Sequence, residues 1–176
     1  DEAKAYSTIA REYLDSDATA HMTPRDKSMA QSELINAMVS ARQLDEAKSY
    51  LNSDATADMD SWDKSMAQSD LIKAMASTGQ LDEAEEYSNI AMEYLNSAAT
   101  AHMTPDDKSK AQSELIEAMA SAGQLDEAKA YSTIAMNYLV SDATNEINRF
   151  EKSCVQSELI KAMASAKLFE TAKSYL

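Results

Sequence analysis

The chain has 176 residues, of which 44% are hydrophobic, and a formal net charge of -14 at pH 7. That charge repels phosphate backbones and anionic lipid, so nucleic acid and membrane surfaces are set aside as partners, and no apolar run approaches the length of a membrane span. The lone Cys154 rules out an intrachain disulfide, and two Gly and two Pro in a chain dominated by Ala, Met, Leu, Glu, Lys and Gln point to helix.

One stretch recurs. Residues 111–131 (AQSELIEAMASAGQLDEAKAY) return, lightly edited, at 30–50, 67–87 and 155–175. They read as a helix, a tight turn and the start of a second helix, which predicts an array of two-helix units. In chain order, residues 1–22 carry only the second helix of a unit, because Asp1-Glu-Ala-Lys-Ala-Tyr6 repeats residues 126–131. Units then cover 23–59, 60–103 and 104–147, and a last unit at 148–176 stops within its second helix. The reading is one helical-repeat domain over 1–176, with both ends inside units, as expected of a piece of a longer array.

Each first helix has a start signal. Thr23, Asp60, Thr104 and Asn148 stand where an N-cap oxygen is wanted, with Asp26, Asp63, Asp107 and Glu151 three residues on, the spacing of a capping box. Pro24 and Pro105 take the first helical position, where a missing N–H costs nothing. The buried stripe is Ala30, Leu34, Ala37, Met38 and Ala41, and its last counterpart is Val155, Leu159, Ala162, Met163 and Ala166. Ile35, Ile72, Ile116 and Ile160 widen it. So much alanine makes a thin core that requires close helix–helix approach.

Gly79 and Gly123 suit a left-handed residue after the first helix, and Arg42 and Lys167 stand in the same place. Second helices start at Leu44, Leu81, Leu125 and Phe169, with a face of Leu125, Ala128, Tyr131, Ala135, Tyr138 and Leu139 and with Ile134 beside it. The second unit is short: between Tyr50 and Leu51 it lacks a counterpart of residues 88–94 (SNIAMEY). Seven residues are close to two turns, so the buried face survives while the helix loses about 10 Å. This predicts a notch beside residues 50–62, where Trp62 stands.

The set Leu115, Gly123, Ala128, Tyr131 and Ala135, repeated as Leu71, Gly79, Ala84, Tyr87 and Ala91, resembles the tetratricopeptide repeat, with a pattern shared by pentatricopeptide and other helical-hairpin repeats. The resemblance covers essentially the whole chain. It implies an all-α fold, a right-handed α-solenoid of stacked antiparallel helical hairpins. The unit departs from that family in being about ten residues longer. It also has Ile116 and its equivalents where a small residue is usual, no first-helix Trp, and a Pro that opens a first helix instead of closing a second.

The resemblance implies a noncatalytic scaffold that holds a peptide or partner helix on its concave, first-helix face. The residues facing it are then Ser32, Ser69, Ser113 and Ser157 and, one turn on, Asn36, Lys73, Glu117 and Lys161. That second row changes charge between copies that are otherwise nearly the same. An alternative is a structural array that self-associates end to end, and a third, disfavoured by charge, is RNA binding in the pentatricopeptide manner. An enzyme is not expected, nor a cofactor or metal. His21 and His102 recur at one loop position whose other occupants are Asp58 and Glu146, without a second His or Cys at ligand spacing. The Asp15-Ser-Asp17 and Asp142 loops lack the Gly and terminal Glu of a calcium loop. No compartment is signalled, so a soluble cytoplasmic chain is the default.

Overall fold

A computed structural model describes residues 2–141, 149–165, 167–168 and 172–173, with 149–151 described by their backbone alone. Of the expectations above, those on Asp1, Asp142, Glu146, Asn148, Ala166, Phe169 and residues 174–176, and on the side chain of Glu151, lie outside the described residues. The described residues fold into eight α-helices, α1 (Glu2–Leu14), α2 (Pro24–Ser40), α3 (Leu44–Leu51), α4 (Ser61–Thr78), α5 (Leu81–Asn96), α6 (Pro105–Ser121), α7 (Leu125–Val140) and α8 (Arg149–Ser165). Among the described residues there is no strand, and the fold is all-α.

The caps form where expected. Thr23 Oγ1 accepts from Asp26 N at 3.1 Å, Thr104 Oγ1 from Asp107 N at 3.1 Å, and Asp60 Oδ1 from Trp62 N at 2.9 Å. The reciprocal half of the capping box differs. The carboxylates of Asp26 and Asp107 accept from the threonine hydroxyls, at 2.7 and 2.6 Å, instead of reaching back to the cap backbone. Aspartate is one methylene shorter than the glutamate of that motif and stops at the hydroxyl. At the hairpin turns Gly79 (φ 83°) and Gly123 (φ 81°) are left-handed, and Arg42 and Lys167 keep the same backbone with φ 59°.

Among the described residues three short 3₁₀ turns follow second helices, at Asp17–Thr19, Asp54–Thr56 and Ala98–Thr100. In each the threonine is buried. Its hydroxyl donates to the carbonyl five residues back: Thr19 to Leu14 O (2.9 Å), Thr56 to Leu51 O (2.8 Å) and Thr100 to Leu95 O (2.9 Å). These bonds satisfy carbonyls that a helix end leaves open.

First helices pack on one another in series, α2 on α4, α4 on α6 and α6 on α8. Each also packs on its own second helix, and each second helix leans on the following first helix. Among the described residues, every substantial contact joins helices one or two places apart in the chain. The core repeats with the unit: Leu71, Ile72 and Met75 of α4 and Leu115, Ile116 and Met119 of α6 are fully buried, as are Ala84 and Tyr87 of α5 and Ala128 and Tyr131 of α7. Coverage thins toward the unit at 23–59, where Leu34 and Met38 are buried but Ala37 and Ala41 are exposed. Leu81, Leu125 and Ile134, expected on or beside the inner face, are 50%, 42% and 46% exposed. Leu81 and Leu125 are the first residues of their helices, at the turn, and each emerges beyond the packed layer.

Candidate functional site

Of the eight first-helix positions, Asn36, Ser157 and Lys161 are exposed and Ser32, Lys73 and Glu117 are half-buried. Ser69 and Ser113 are buried, and Ser113 Oγ donates to Ser109 O at 3.0 Å within its own helix. The row one turn on is therefore the accessible one. Lys73 Nζ donates to Glu114 Oε2 at 2.6 Å, tying α4 to α6. Beside this pair, Asp70 is pushed above its ordinary pKa by burial, helped by the Glu114 charge and opposed by Lys73.

Two cavities open on this face. One of about 590 Å³ is lined by Lys73 and Glu117 together with Gly123, Leu125 and Lys167. The other, of about 310 Å³, is lined by Trp62, Met66, Ser113, Glu117 and Lys161. The fold thus brings Lys73, Ser113, Glu117 and Lys161 to shared hollows; Ser32, Asn36, Ser69 and Ser157 line neither.

The notch lies at the start of α4. Helix α3 has 8 residues where α5 and α7 each have 16. The chain therefore turns back early and α4 begins part-way along α2. Asp60 N donates to Ser28 Oγ at 2.8 Å, and Ser28 Oγ donates to Asp63 Oδ2 at 2.6 Å. Ser28 stands five residues past the α2 cap, so the first turn of α2 overhangs α4 by roughly 7 Å at 1.5 Å per residue. On the other side Ser61 Oγ donates to Ala99 O at 3.1 Å, accepts from the Tyr94 hydroxyl at 3.2 Å and lies 3.3 Å from His102 Nε2.

The resulting hollow is about 820 Å³. Pro24, Arg25 and Met29 of α2 form one wall, Tyr94 and His102 the other, and Met59 and Trp62 line it between them. Trp62 is half-buried and also lines the smaller cavity on the first-helix face, so it stands between the two. Four carboxylates, Asp58, Asp60, Asp63 and Asp107, line the notch against one guanidinium, Arg25. Asp60 caps α4, Asp63 accepts from Ser28 and Asp107 from Thr104. Asp58 is exposed and makes no hydrogen bond or ion pair with the described residues.

The notch itself was readable from the seven missing residues, but the part of Asp107 in its lining was not, because that residue belongs to the following unit and only the packing brings it in. A further regularity escapes the pattern of apolar residues altogether. Lys48 Nζ sits 5.8 Å from the Tyr87 ring centroid, Lys64 Nζ 5.5 Å from that of Tyr94 and Lys108 Nζ 5.3 Å from that of Tyr138. Burial lowers the pKa of both Lys64 and Lys108. The signal for the last two was present, as one Lys and one Tyr at the same places in the units 60–103 and 104–147. No family model, curated protein or solved structure matches the chain.

Proposed function

We propose that the chain is a noncatalytic binding scaffold of tetratricopeptide type, a right-handed α-solenoid whose concave first-helix face holds a peptide or helix of a partner protein. The observation that carries this reading is the pair of hollows lined by Lys73, Glu117 and Lys161. Three of the four residues at the position that varies in charge between near-identical copies, Lys73, Glu117 and Lys161, line these hollows. Packing restricted to neighbouring helices supports the solenoid, because it is what stacked hairpins produce.

The test selects peptides from a random library against the chain and measures them against a Glu117→Lys, Lys161→Glu double variant. The expected result is at least about tenfold weaker binding for most selected peptides, the effect of losing one well-placed charged contact. Equal binding to both proteins removes the first-helix face as the site.

A second reading, end-to-end self-association, is favoured by the outer face of α1. Tyr6, Ile9 and Tyr13 are 72%, 61% and 55% exposed there, whereas the counterparts of Tyr6, Tyr87 and Tyr131, are fully buried. Sedimentation equilibrium across a wide concentration range separates the two readings. Association that disappears in a Tyr6→Ser, Ile9→Ser variant supports stacking, and a monomer at every concentration excludes it.

A further inference from the structure

We infer that the notch over the start of α4 is a docking site for an arginine side chain presented by a partner protein, with Trp62 and Asp58 as its contacts. This inference rests on different observations from the first-helix reading and stands or falls separately.

The first observation is the ring. The protein places a lysine of its own over Tyr87, Tyr94 and Tyr138. Trp62, the only tryptophan and the ring type that attracts cations best, has none over it among the described residues. It is half-buried and lines a hollow large enough for a side chain and its backbone.

The second is charge. Four carboxylates against one guanidinium make the lining net negative, so an entering cation is drawn in and an anion is repelled. The start of α4 does not reverse this preference, because Asp60 already takes the first free N–H groups of that helix. The third is vacancy of the right acceptor. Asp58 keeps both carboxylate oxygens for a fork of two N–H donors, which arginine supplies and lysine does not. Met29 and Met59 offer the aliphatic stem an apolar wall.

The test titrates the 176-residue chain with acetyl-Leu-Arg-Leu-amide at low salt, following Trp62 emission and the heat of binding. The same peptide with citrulline, which has arginine's shape without its charge, is the control. Expected are saturable binding in the millimolar range, at least about tenfold weaker for citrulline, and a similar loss in Asp58→Asn. Arg25→Ala, which removes the competing cation, tightens binding, an effect that damage to the fold does not produce. Equal response to the arginine and citrulline peptides, an unchanged Asp58→Asn, or no saturation by ten millimolar overturns the assignment.

Discussion

Arg42 and Lys167 hold φ at 59°, where an L side chain crowds the following carbonyl. The two glycines at the same turn show that the backbone alone sets the cost, because a Cβ built on Gly79 or Gly123 meets nothing within 4 Å. Arg42→Gly and Lys167→Gly are therefore each expected to raise stability by about 1 kcal/mol, and Gly79→Ala to lower it by about as much, read as shifts in the urea midpoint. The buried threonines of the 3₁₀ turns give the opposite kind of test. Thr100→Val keeps the volume but leaves Leu95 O without the hydroxyl that caps it. It is expected to cost about 1–2 kcal/mol by the same measurement. Glycine, proline and N-cap residues were legible in the sequence because each acts on its own backbone. The Ser-x-Ala-Thr runs at 16–19, 53–56 and 97–100 recur as plainly. They read only as loops, because a hydroxyl reaching five residues back leaves no mark in hydrophobic periodicity.

At the scale of the helices, the same division holds. The stripe Leu115, Ile116 and Met119 and the partner residues Ala128 and Tyr131 follow from three-and-four spacing, and all are buried. The axial register between neighbouring first helices does not follow from spacing, because a shift of seven residues keeps the same faces together. The bonds of Ser28 to the Asp60 N–H and to the Asp63 carboxylate mark where α4 sits against α2, and with it the depth of the notch. The α4–α6 seam carries its own consequence. Asp70 is held above its ordinary pKa of 3.8, chiefly by burial, with Glu114 adding to the effect and Lys73 opposing it. The folded chain then binds more protons than the unfolded one between 3.8 and the raised value, so this group's contribution makes stability fall as pH rises through that window. Asp70→Asn is expected to be more stable than the parent at pH 7 and to lose that advantage near pH 3, as followed by urea unfolding across the range. An advantage that does not change with pH argues that packing, not ionisation, decides the site.

Across the molecule, stability is expected to vary with the number of sides on which a helix is covered. Helix α6 packs on α4, α5, α7 and α8, whereas α1 packs substantially only on α2 and its own 3₁₀ turn. The inner residues of α6 are fully buried, and those of α1 are mostly not: Leu14 is the one buried residue of that helix. Because contacts run between neighbours along the chain, opening α1 disturbs α2 and α3 but leaves the α4–α7 core intact. Native-state hydrogen exchange in rising urea is the measurement that separates these levels. Amides of α1 are expected to exchange first, at a free energy well below that of the rest. Those of α2 and α3 should follow, and α4 to α7 should exchange last and together. Lys4, which pairs with Glu46, and Ser7, which donates to Gln43 at 2.6 Å, hold α1 to the second unit from its more exposed side. Surface ion pairs of this kind contribute about 0–1 kcal/mol and fade with salt. Raising ionic strength should therefore speed exchange in α1 more than in α6, whose own pairs, Lys73–Glu114 and Lys110–Asp106, add to a helix packed on four others. Uniform protection from α1 to α7, insensitive to salt, would show the chain opening as one unit and would contradict an array coupled only through neighbours.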